Sequence, residues 1–239
     1  MMGQQMLLAG GNRRPIIVGS GSNNASVGLN YIGASVIASI KPKDIAVVIP
    51  VGYYGGSSSA RGAWEEQETP TTLTAVSTDW RLGVYTQDPL NITAGAFSKV
   101  LAENTAPPLG VSSGTNKAMN ITVFRNAEID VIGTAIRASS GTDSAFDIPG
   151  FTVTKNNSLL IAVISRVQGS GTTAELVKPS SMTIIPGSEP ANENYIFSIR
   201  AYYEIVNAGA TGTRSFTWLS PTVTNPLPVS GIMYAIRGA

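Results

Sequence analysis

Residues 159–167 read LLIAVISRV. The first six are apolar without a break, and they follow a polar turn at residues 155–158 (KNNS). A continuous apolar run this short, bounded by turn residues, predicts a buried strand. Residues 45–51 (IAVVIPV) have the same character. Other runs alternate. Residues 80–86 (WRLGVYT) put Trp80, Leu82 and Val84 on one face, and residues 119–124 (MNITVF) put Met119, Ile121 and Val123 on one face. Residues 195–205 (YIFSIRAYYEI), 215–219 (SFTWL) and 231–236 (GIMYAI) complete the main strands. One short helix is expected at residues 94–102 (AGAFSKVLA). Strands at regular spacing with Gly, Ser, Asn and Pro between them predict an all-β fold, an antiparallel β-sandwich of jelly-roll type.

The chain also repeats itself. Residues 43–50 (KDIAVVIP) resemble 157–164 (NSLLIAVI), and residues 119–127 (MNITVFRNA) resemble 231–239 (GIMYAIRGA). These pairs begin 114 and 112 residues apart, so the spacing is nearly kept. Between them, residues 80–87 resemble 197–204. Three matches in one order predict two duplicated halves. The expected organisation is an N-terminal arm at residues 1–15, a first half at 16–128 and a second at 129–239. Residues 126–132 (NAEIDVI) lack linker composition, which predicts halves that pack together, as two small sandwiches or as one larger one.

The 239 residues are 43% hydrophobic, enough for a sizeable core. Charged residues are 13%, about half the usual ~25%. The balance is made up by 25 serines, 22 threonines and 25 glycines, so the surface is largely neutral and polar. Net charge is +1, with no long basic run, so nucleic acid is not an expected partner. There is no histidine and no cysteine. This excludes His-based triads, thiol nucleophiles, imidazole or thiolate metal sites and disulfides. No cofactor is expected. No stretch approaches the ~20 apolar residues of a membrane span, so no membrane insertion is expected.

Candidate catalytic groups are few. Glu65, Glu66 and Glu68 form the one dense acidic group, within a Gly/Ser-rich insertion. Glycoside hydrolysis needs two carboxylates about 5–10 Å apart across a cleft. Three acids in such a segment read instead as a solvated tip. Catalytic serine would need a lysine base, and no Ser-x-x-Lys spacing occurs. The chain is therefore expected not to be an enzyme. Tyr53, Tyr54 and Trp64 flank or sit in the same insertion and are candidate contacts for a partner subunit or a glycan. Met6, Leu7 and Leu8 are costly to leave in water, which marks residues 1–15 as a candidate subunit-docking arm. Trp80 and Trp218 read as core. Arg125, Arg137 and Arg237 each follow an apolar run and read as groups that cap strand ends or pair with a carboxylate at the sheet rim.

The second half carries a resemblance. An SGT segment at 140–142 leads to PGFTV (149–153), LLIAVI (159–164), PSSMTII (179–185), RAYYEIVNAGATG (200–212), FTWL (216–219) and a terminal YAIRGA (234–239). This order resembles a family of β-sandwich virion proteins of tailed bacteriophages and prophages. The first half follows the scheme more loosely, through residues 43–51, 84–87 and 123–127. Met182 stands where the family turn has Trp, Asn126 stands where Gly is usual, and residues 52–69 are an uncommon insertion. The resemblance implies a structural protein located in the virion, in the tail tip or fibre, with head decoration as the close rival. An alternative of a different class, a carbohydrate-binding module, rests instead on Tyr53, Tyr54 and Trp64 as a sugar-stacking row. It implies partners that are copies of the chain itself (a trimer or higher), other virion proteins and a host-surface glycan.

Overall fold

In the structure, a computed structural model, the residues described are 13–23, 34–53, 81–87, 92–100, 116–134, 136–140, 145–167, 175–188, 197–219 and 227–239. The fold is all-β with antiparallel pairing. The first half supplies β1 (Ile16–Asn23), α1 (Ala34–Ser39), β2 (Ile45–Tyr53), β3 (Arg81–Gln87), β4 (Ile92–Val100) and β5 (Asn116–Arg125). The second supplies β6 (Ala127–Ile132), β7 (Ile136–Ser140), β8 (Ala145–Ile148), β9 (Thr152–Val153), β10 (Ser158–Val167), β11 (Glu175–Val177), β12 (Thr183–Ile184), β13 (Phe197–Val206), β14 (Gly209–Ala210), β15 (Arg214–Leu219) and β16 (Leu227–Gly238).

The first-half strands form a five-stranded sheet in the order β1-β5-β2-β4-β3. The second half forms a six-stranded sheet in the order β12-β13-β10-β16-β6, with β7 also on β16. Read from the other edge, that order is β6-β16-β10-β13-β12. In each sheet the first strand pairs with the last of its half, and the last pairs with the long apolar strand. Then come the fourth and third strands. The two sheets thus share one strand order. The third sequence match does not coincide with it: β3 lies at a sheet edge, whereas β13 pairs directly with β10, the place that β4 takes beside β2.

The two large sheets share a core. Ile45, Val47, Ile49 and Phe124 meet Leu159, Ile161, Val163, Ile199, Ala201, Ile232, Tyr234 and Ile236. Phe124 and Tyr234 pack edge to face, ring centroids 6.3 Å apart. A three-stranded sheet, β11-β15-β8, covers the other face of the six-stranded sheet. There Leu160, Ala162, Ile164, Tyr202 and Met233 meet Phe146, Ile148, Leu176 and Phe216. Met182 is buried in this second core.

This arrangement explains the unbroken apolar runs. A strand with one wet face alternates, because successive side chains point to opposite sides. Over Leu159–Ile164 of β10 and Ile232–Ile236 of β16 neither face is wet, so both sets of side chains are apolar or aromatic. β2 is similar: Ala46 and Val48, on the face away from the shared core, are also buried.

The expected helix at residues 94–102 is corrected to a strand. β4 lies between β2 and β3 and pairs with both. A nine-residue stretch has too few turns for its helical pattern to outweigh two ladders of backbone hydrogen bonds. The helix present, α1, packs on β1. β5 passes directly into β6 through Asn126, whose φ of 51° is left-handed. Asn is among the few residues other than Gly that tolerate that region. Among the described residues no helix is long and apolar enough to cross a membrane.

Candidate interaction surface

Tyr53 closes β2, its backbone paired with Ile92 and Asn116. Its side chain lies outside the described residues, as do Tyr54, Trp64, the acids Glu65, Glu66 and Glu68, and the arm residues Met6, Leu7 and Leu8. Trp80 and the side chains of Trp218 and Arg137 lie outside them too. The described surface shows a different feature, at the point where the chain enters β1.

β1 is an edge strand, with no strand partner on its outer side among the described strands. Sheet edges invite pairing, and proteins blunt them with charge, bulges or shortness. The edges of the six-stranded sheet follow that rule. β12 has two residues. β6 carries Glu128 and Asp130, and its register with β16 shifts at Ala235/Ile236. β1 (IIVGSGSN) has neither charge nor proline. It has one irregularity, between Ile17 and Gly19 on its paired side.

Beside this edge lies an apolar groove of about 430 Å³ lined by Ile16, Ile17, Leu159, Pro186, Tyr203 and Ile205. Ile16 is 50% exposed and Ile205 49%. The groove is bounded at one end by the Pro186–Ser188 turn. Gly187, with φ +80°, lies so close to the Ser20 carbonyl that a Cβ there would come within 2.5 Å of the oxygen. The turn is tied to β13 by Ser188 Oγ, which donates to Ala201 O at 3.1 Å, and is closed on itself by Ser188 N donating to Ile185 O at 3.0 Å. It therefore covers β1 at Ser20, while Ile16–Gly19 have no strand partner on their outer side among the described residues, with Val36 of α1 packed on Gly19.

At the other end the groove meets a polar pocket of about 480 Å³, which shares Arg14 and Pro15 with it. Arg13, Lys155, Asn156 and Asn157 also line the pocket. Its described lining holds three cations and no carboxylate. The Asn156 side chain is fixed by accepting from Ala208 N at 3.0 Å. Gly238 leaves no room for a Cβ against the Arg13 carbonyl, which holds residues 13–15 across the end of the six-stranded sheet.

Two of the three strand-end arginines, Arg125 and Arg237, pair with carboxylates. Arg125 donates to both Asp44 oxygens, Nε to Oδ1 at 3.0 Å and Nη2 to Oδ2 at 2.8 Å, with Asp44 buried. Arg237 meets Glu128 at 3.0 Å and Asp130 at 3.7 Å. The hydrogen bond with Asp44 raises the Arg125 pKa, partly offset by burial; Glu128 raises that of Arg237. A third pair, Arg214 with Glu204, is more buried and was not legible in the sequence. Arg214 Nη1 also donates to the carbonyls of Thr211, Gly212 and Thr213 and pins that loop. The clue available was Glu204 two residues after Tyr202, on the apolar face of its strand.

The shared core ends in a polar network that period-2 reading also passed over. Asn120 Nδ2 donates to Ser22 Oγ at 2.9 Å and to Ser20 Oγ at 3.1 Å. Thr122 Oγ1 donates to Asn120 Oδ1 at 3.1 Å. The Tyr234 hydroxyl faces Thr122 without completing a hydrogen bond of good geometry, and burial pushes its pKa well up. Among the described residues no three Asp or Glu side chains converge as metal ligands would. The chain matches no family model, no curated protein and no solved structure.

Proposed function

We propose that this chain is a non-enzymatic structural protein of a tailed-phage virion, a tail-tip or fibre component that assembles with copies of itself. The observation that carries the self-assembly is the open, uncharged β1 edge beside a groove with half-exposed Ile16 and Ile205. An edge of that kind is a liability for an isolated chain and an asset for one that is covered in an assembly. The sheet with two buried faces supplies a stiff body, and 13% charge suits a surface that packs against its like. The virion setting rests on the order of sequence motifs from residue 140 to residue 239. Antibody labelling of purified phage particles that encode the chain tests the location. Label at the tail tip or fibre is the expected result. Label on the head would replace this reading with capsid decoration, and unlabelled particles would remove the virion altogether.

A further inference from the structure

We infer that the apolar groove beside β1 is the receptor for residues 6–9 of a second copy of this chain. The inference rests on the self-assembly proposed above and names the surfaces that meet. Residues 1–12 precede Arg13 directly, and their one dense apolar block is Met6-Leu7-Leu8-Ala9. The open part of the β1 edge, Ile16–Gly19, is also four residues long. An extended segment of four residues covers about 13 Å of edge. Such a segment adds a strand to the sheet, with main-chain hydrogen bonds on the edge and alternate side chains in the groove. Neither surface carries an acidic residue, so burial leaves no carboxylate unpaired: residues 1–12 hold no Asp or Glu, and the groove lining holds none.

The path of the chain favours a second copy over the same one. Residues 13–15 run across the end of the six-stranded sheet, with the Arg13 carbonyl packed on Gly238 and Arg13 beside Lys155 and Asn157. The segment before them starts there rather than along its own β1. Residues 15 to 13 thus lead from Ile16 toward Gly238, away from the groove residues Tyr203 and Ile205. Extended, residues 6–12 span about 24 Å, which is ample for a neighbouring copy.

The chain has no cysteine, so single cysteines report contact without background. A Leu8→Cys protein is mixed with an Ile205→Cys protein of distinguishable mass and oxidised, and circular dichroism checks that both are folded. The expected product is a mixed disulfide dimer, with yield falling at least several-fold when a synthetic peptide of residues 1–12 is added. An Ile205→Arg variant should lose the higher oligomers while keeping its β-sheet spectrum. If the Leu8→Cys/Ile205→Cys double variant yields only an internally linked monomer, the arm belongs to its own groove and the exchange is wrong. If no cross-link forms and the oligomer persists, the groove is not the receptor, although self-assembly stands. If the full chain is monomeric throughout, self-assembly itself fails.

Discussion

Leu159 and Leu160 are adjacent in the chain and lie in different cores. Leu159 faces the five-stranded sheet, and Leu160 faces the three-stranded one. The same split continues through Ile161 and Ala162, then Val163 and Ile164. Substitutions along β10 should therefore be costly at every position, without the alternation of a half-exposed strand. Ile161→Ala should cost about 2–5 kcal/mol by transfer and cavity terms. Val177→Ala, at an exposed site on β11 outside the groove, should stay within about 0.5 kcal/mol. Urea unfolding of the two variants checks this. Similar midpoints would show that β10 is not doubly buried.

The Arg214–Glu204 pair is the most buried of the ion pairs described above, with side-chain exposures of 16% and 6%. Breaking it from one side strands the other charge. Arg214→Met should cost about 3–5 kcal/mol, and the Arg214→Met/Glu204→Leu double variant should recover part of that loss. A double-mutant cycle by chemical denaturation measures the coupling. Additive losses would mean that Arg214 acts only by pinning residues 211–213.

Tyr234 gives stability a pH dependence with a definite sign. Its pKa is raised in the folded state, chiefly by burial. The unfolded chain thus releases this proton near the ordinary tyrosine value of about 10, while the folded chain holds it. Stability is undiminished below that pH and falls as pH rises above it. Tyr234→Phe should flatten that alkaline loss. Denaturation midpoints at rising pH decide it, and a variant losing stability as steeply as the parent would refute the assignment.

The main strands were legible because burial writes itself into the sequence as period. Each long run read as a strand is one, and the LLIAVI run marked the central sheet. What period could not reveal was why that run is unbroken: the three-stranded cover is built from β8, β11 and β15, short strands far apart in the chain. The residues 94–102 pattern misled because pairing on both sides outweighs a short helical signal. Asn120 and Thr122 alternate with Ile121 and Val123 and read as a wet face, yet all four are buried. The interaction groove was illegible for a related reason. It joins Ile16 and Ile17 to Leu159, Pro186, Tyr203 and Ile205, residues that only the stacking of two sheets brings together. Met6, Leu7 and Leu8 stand out in the sequence as apolar residues of a candidate arm, but period and composition point to no receptor for them.

Native mass spectrometry of the purified full chain across a concentration series tests the central claim most directly. The account predicts a trimer or larger assembly that shifts toward monomer when residues 1–12 are removed, with the fold retained. A full chain that stays monomeric at every concentration would contradict it.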